Sequence, residues 1–273
     1  MNRGYCKTSD RAYIYYEDRG QGKNTILLVP GHMCTTKFFQ KNVEALAVNH
    51  RVVTMDNRGF GNSSKPLHGN NIERHADDIR ELIDHLDLER VILVGWSLSG
   101  SIVVTYAHKY AGYRLSALGL LDCCLFPFSP ADWNSYNSKD YNMDDWNRKY
   151  RLWYADPEIY MENFVNRVRT GLTDEEAQMV REEIGKTPPW IGFALHTDWC
   201  HTDCTGLLRD LTIPVIIFSG ESKGHSSIMG RYYQSQIQTY CEHHEFLRGG
   251  HMLFFIEHER FNRLLEAFIQ KVG

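Results

Sequence analysis

No apolar stretch in this 273-residue chain approaches the roughly 20 residues a membrane-spanning helix needs, so no such helix is expected. The opening residues, Met1-Asn2-Arg3-Gly4-Tyr5-Cys6-Lys7, lack the apolar segment of a secretory signal, and none is expected. Basic runs are missing too. The 30 Lys and Arg stand against 34 Asp and Glu, a formal charge of −4, which argues against nucleic acid and membrane as partners. Cysteine occurs seven times, an odd number without regular spacing. That pattern argues against a disulfide framework and for a reducing compartment, by default the cytoplasm. Internal repeats and low-complexity tracts are also absent. The length suits one large α/β domain with an insertion. Nothing in the sequence fixes an oligomeric state.

The chain does carry apolar runs of strand length. They lie at 25–29, 51–55, 91–94, 116–121, 215–219 and 243–247, and an aromatic hairpin over 5–8 and 12–18 precedes them. Helical spacing separates most of these runs. Ile72, Ala76, Ile79, Leu82, Ile83 and Leu86 form one apolar stripe over 72–86, and Phe261, Leu264, Leu265 and Phe268 form another over 257–270. Continuous apolar strands alternating with helices predict an α/β fold, a mostly parallel eight-stranded sheet covered on both faces. Ligands of such sheets bind beyond the C-terminal ends of the strands.

Between Leu121 and Ile213 no strand is convincing. Segments 131–154, 157–170, 173–185 and 189–208 read as helices, with Thr173-Asp174-Glu175-Glu176 as a capped start. Five of the six tryptophans fall in this stretch, a compositional shift that marks an inserted helical domain. The expected division is 1–122 and 209–273 for the core and 123–208 for the insertion. His196, Cys200, His201 and Cys204 bring ligand-type side chains together within it. Zinc sites pair short spacings with a second pair elsewhere, and none is evident. A packed helix is expected there, with no metal and no cofactor.

Four motifs sit at strand ends. Gly95-Trp96-Ser97-Leu98-Ser99-Gly100 follows the run Val91-Ile92-Leu93-Val94 and precedes a helical segment, so a tight turn lifts one serine above the sheet at a helix N-terminus. Pro30-Gly31-His32 breaks the strand 25–29. Asp56-Asn57-Arg58-Gly59-Phe60-Gly61-Asn62-Ser63 follows the strand 51–55 and reads as a structural loop. Gly249-Gly250-His251 places a histidine on a close-approaching loop near the end of the chain.

In content and order these motifs resemble the α/β-hydrolase superfamily, over essentially the whole chain. Two departures stand out: Ser99 for the usual second glycine of the elbow, and Pro30 where many relatives carry histidine. The resemblance implies an α/β-hydrolase fold whose helical insertion is a lid. It also implies a nucleophile Ser97, a base His251 and an orienting acid. Relatives commonly carry the acid after the strand 215–219, but that place holds Lys223. Asp122, ending the preceding strand, and Glu221 remain, and position puts Asp122 first. Oxyanion donors fall at the backbone N–H of Leu98 and of His32.

The reaction expected is cleavage of a carboxylic ester, thioester or lactone, by an enzyme of carboxylesterase or lactonase type. The aromatic insertion suggests a small-molecule substrate with an apolar acyl or aryl group. Two other readings stay open. Asp122 and Pro30-Gly31 also resemble the cofactor-free quinaldine-type dioxygenases of the same superfamily. A ligand-binding receptor on a hydrolase scaffold is the third.

Overall fold

The computed structural model describes residues 2–136, 139, 143–221 and 227–273. Its strands are β1 (Asn2–Lys7), β2 (Tyr13–Arg19), β3 (Thr25–Val29), β4 (Arg51–Met55), β5 (Val91–Trp96), β6 (Leu115–Leu121), β7 (Val215–Gly220) and β8 (Cys241–Phe246). They form one eight-stranded sheet in the order β1-β2-β4-β3-β5-β6-β7-β8. The β1–β2 and β2–β4 pairs are antiparallel and all others are parallel. Every residue of β3, β5 and β7 is buried, as strands covered on both faces must be.

The helices are α1 (Gln40–Leu46), α2 (Ile72–His85), α3 (Ser99–Lys109), α4 (Met143–Ala155), α5 (Pro157–Val168), α6 (Asp174–Ile184), α7 (Pro189–His201), α8 (Ser227–Gln236), α9 (Leu253–Ile256) and α10 (His258–Val272). Helix α2 packs on α3, and α1 on α10. The stripe Ile72, Ala76, Ile79, Leu82 and Ile83 is the buried face of α2, and Asn71 caps that helix by accepting the Arg74 N–H at 2.8 Å. Helices α4 to α7 fill the connection between β6 and β7. The expected capping box opens α6: the Thr173 hydroxyl accepts the Glu176 N–H, and the Glu176 carboxylate accepts the Thr173 N–H.

Two helical expectations need correction. The segment 131–154 is not one helix: α4 begins only at Met143, and residues 137, 138 and 140–142 lie outside the described residues. Ahead of it the Asn134 amide donates to the carbonyls of Phe126, Pro127 and Ser129, a local side-chain alternative to helical bonding. The segment 189–208 stops at His201. Thr202 is extended, its hydroxyl donates to the Asp198 carbonyl, and a short 3-10 turn over Thr205–Asp210 follows. The short helix α1 carries too little apolar periodicity to be read from sequence.

The sheet register sets up the site. Val29 pairs with Gly95, and Trp96 with Leu121, so the chain leaves β3, β5 and β6 at neighbouring points. The loop after β8 reaches the same end: a Cβ on Gly220, the last residue of β7, would lie 1.9 Å from the Gly250 carbonyl oxygen.

Candidate active site

Ser97 follows directly on β5 with φ of +59°, a left-handed conformation that non-glycine residues adopt only under constraint. Its N–H donates to the Leu121 carbonyl at 2.9 Å, tying the turn to β6. Gly95 has no room for a side chain, because a Cβ there would sit 2.3 Å from the Ser99 carbonyl oxygen. Ser99 fits where relatives carry glycine because its hydroxyl has work. It donates to the Pro30 carbonyl at 2.5 Å and accepts the Asn57 amide at 3.1 Å, while that amide also donates to Pro30 at 3.0 Å. The buried hydroxyl is therefore satisfied, and it fastens the elbow to the loop after β3.

The structure brings Ser97, His251 and Asp122 together. His251 Nδ1 lies 2.6 Å from Asp122 Oδ2, and Nε2 lies 3.1 Å from Ser97 Oγ. An ionised carboxylate only accepts, so the ring proton sits on Nδ1 and leaves Nε2 free to accept from the serine. Asp122 is buried, and its second oxygen accepts the Gly220 N–H at 2.7 Å. Burial, with the Arg167 charge added, holds the His251 imidazole below its ordinary pKa, although the Asp122 carboxylate pulls the other way. Glu221 is exposed, and its carboxylate faces the Ser227 N–H at 3.5 Å rather than the histidine. Ser222 and Lys223 lie outside the described residues.

Two residues not assigned from sequence hold the histidine loop. The Trp96 indole N–H donates to the His251 carbonyl at 3.0 Å, and the two rings lie 5.2 Å apart. The Glu257 carboxylate accepts the Gly249 N–H at 3.0 Å. Glu257's place six residues beyond His251 was visible in the sequence, but not its turn back onto the loop.

Among the described residues, no protein acceptor is found for the backbone N–H of Leu98 or of His32. The His32 ring is held elsewhere: Nε2 donates to the Gly192 carbonyl of α7 at 2.8 Å, and burial pushes its pKa down to about 3. The imidazole thus joins the β3 loop to the insertion in neutral form.

Ser97 and His251 open into a cavity with a free volume of about 80 Å³. Aromatic side chains of the insertion form much of its wall, including Tyr136, Tyr160, Phe164 and Trp199. Lys149 of α4 and Arg167 of α5 also line it. The sequence signal for Arg167 was its spacing: Tyr160, Phe164, Arg167 and Val168 share one face of α5.

The Asp56 loop is architectural. Asp56 accepts the N–H groups of Thr36 and Asn62, and a Cβ on Gly61 would strike its carboxylate at 2.2 Å. Arg58 is fully buried between Asp78 and Asp10, with bonds of 2.7 to 3.0 Å. Around His196, the Tyr150 hydroxyl lies 2.8 Å from Nδ1, while His201 is exposed. Among the described residues no group of three or more His, Cys, Asp or Glu could hold a metal. None of the described helices is long and apolar enough to cross a membrane.

Comparison with known proteins agrees with the fold. The AB hydrolase superfamily protein YisY of Bacillus subtilis is 25% identical over 273 residues, spanning 97% of this chain and 98% of that protein. A bromoperoxidase of Bacillus anthracis superposes with a TM-score of 0.89 at 22% identity, over 98% of this chain and all of the other. An esterase of Exiguobacterium antarcticum does so with a TM-score of 0.86 at 21% identity, over 97% and 98% of the two chains. At those identities the structural likeness speaks for the fold alone. The family model for the alpha/beta hydrolase fold matches residues 24–257, and this chain belongs to that family.

Proposed function

We propose that this protein is a serine hydrolase cleaving a carboxylic ester, thioester or lactone through an acyl-enzyme. Ser97 Oγ attacks the carbonyl carbon while His251 Nε2 takes its proton. The negative charge that develops on the carbonyl oxygen is held by the N–H groups of Leu98 and His32, which lack protein acceptors among the described residues. His251 then gives the proton to the departing alkoxide or thiolate, leaving the acyl group on Ser97. Water, activated by the same ring, attacks the acyl carbon and releases the acid. Asp122 keeps the ring in the Nδ1–H form and stabilises the imidazolium.

The observation that carries this reading is the relay of 2.6 Å and 3.1 Å from Asp122 through His251 to Ser97. Helices α4 to α7 serve as the lid, with 123–208 as cap and 1–122 with 209–273 as core. The aromatic cavity wall supports an apolar acyl or aryl portion of the substrate. The test is hydrolysis of a short p-nitrophenyl ester. Ser97→Ala is expected to abolish it, and unchanged turnover removes Ser97 from the mechanism. Oxygen consumption on a hydroxyquinolone, retained in Ser97→Ala, would instead select the cofactor-free oxygenase that the place of Asp122 also fits.

A further inference from the structure

Among the described residues, the side chains lining the active-site cavity include the cations Lys149 and Arg167 and no Asp or Glu. The histidines there do not supply the charge, since burial keeps His32 and His196 neutral, well below the ordinary range. The two cations come from different helices, α4 and α5, and converge on the space that also holds Ser97 and His251. Among the described residues no carboxylate lies within ion-pairing distance of Arg167, whose guanidinium lies 5.5 Å from the centre of the Phe164 ring.

An arginine in a last helical turn suits the helix dipole. That explains its place along α5 but not its lying on the cavity face, beside Tyr160 and Phe164. Nor does it explain a lysine directed to the same space. Like charges facing one cavity disfavour each other, and Lys149 is pushed down to about 8 by burial and by Arg167. A bound anion reverses both effects.

We infer that the substrate is anionic: an ester or lactone bearing a carboxylate, which Lys149 and Arg167 hold while its reacting carbonyl meets Ser97. This rests on the serine hydrolase reading and names its substrate class. Aromatic walls then enclose the carbon skeleton, and the two cations select the charge. The planar guanidinium gives a carboxylate paired donors, and the ammonium adds a point charge.

The test compares kcat/KM within two matched pairs. One is p-nitrophenyl hemiglutarate against p-nitrophenyl valerate, with the charge in the acyl half. The other is p-acetoxybenzoate against its methyl ester, with the charge in the alcohol half. The wild-type protein is expected to favour the anionic member of at least one pair by about tenfold or more. Arg167→Gln and Lys149→Met should each lower that ratio about tenfold, and Arg167→Lys should recover part of it. Arg167 is exposed, so its variants keep the test open if Lys149→Met fails to fold. Ratios near one in both pairs, or ratios the variants leave untouched, overturn the inference.

Calorimetry with glutarate on Ser97→Ala separates the two readings. If Ser97→Ala abolishes hydrolysis while the ratios are flat and glutarate does not bind, the serine mechanism stands and the anion site falls. If glutarate binds and Arg167→Gln abolishes binding, but Ser97→Ala still hydrolyses the esters, the reverse holds.

Discussion

Replacing Asp122 by asparagine changes almost no volume, yet the structure dictates a specific failure. One carboxylate oxygen accepts the Gly220 N–H at 2.7 Å, and the other faces His251 Nδ1 at 2.6 Å. Gly220 packs against the Gly250 loop, where a Cβ would lie 1.9 Å from the Gly250 carbonyl oxygen. An asparagine therefore keeps its oxygen toward Gly220 and turns its NH2 group to the histidine. A donor facing Nδ1 forces the ring proton onto Nε2, where it blocks acceptance from Ser97. The opposite amide orientation restores the tautomer but sets two donors against each other at Gly220, at about 1–3 kcal/mol. At 1.4 kcal/mol per factor of ten, that leaves roughly 1–15% of molecules correctly arranged. The neutral amide also gives up the attraction of the carboxylate for the imidazolium. Together these predict a loss in kcat of about 10³–10⁴, of the size seen when a triad aspartate is neutralised. Steady-state hydrolysis of a p-nitrophenyl ester measures it, with thermal unfolding as the control for folding. Activity within tenfold of wild type in Asp122→Asn, with Glu221→Gln inactive instead, would refute the reasoning and move the acid to Glu221.

Ser97 at φ +59° carries backbone strain of about 1–2 kcal/mol that glycine relieves and alanine does not. Ser97→Gly is expected to unfold at a temperature a few degrees above Ser97→Ala, with both inactive; equal melting points would deny the strain. Arg58→Met leaves the buried Asp78 with Arg74, bonded at 2.8 Å, as its remaining ion-pair partner among the described residues, and is expected to lower unfolding free energy in urea by about 3 kcal/mol without altering KM. His32 and His75 are each pushed down to about 3 by burial, and His196 lies well below its ordinary value for the same reason. Below pH 6.5 the unfolded chain therefore binds protons that the native chain does not, and stability falls as pH drops. The expected slope is up to about 1.4 kcal/mol per pH unit for each histidine, read from urea midpoints between pH 7 and 5, where a flat profile contradicts it.

What the sequence revealed follows the range of the interactions. The elbow is written within about ten residues: an apolar strand, glycine before the serine, and a helix after it. Ser97 was legible for that reason, as was His251 after its paired glycines. The sheet was legible because buried parallel strands are continuous apolar runs. Choosing between Asp122 and Glu221 needed the neighbours of each strand end. Asp122 leaves β6 beside Ser97, with Leu121 paired to Trp96, and Glu221 turns outward past Gly220. The insertion was legible as helical, but its starts and stops depend on side chains that compete locally with the backbone. Asn134 and Thr202 are two such residues. Lys149 and Arg167 carried no motif at all. Their meaning lies in where two helices point, and helical spacing gives a face but not what that face meets.

The most direct test of the central claim is intact-mass analysis after incubation with a fluorophosphonate. The relay from Asp122 through His251 to Ser97 predicts a single adduct, mapped by peptide sequencing to Ser97, lost in Ser97→Ala and strongly slowed in His251→Ala. A folded, unlabelled wild-type protein, or an adduct on another residue, would contradict it.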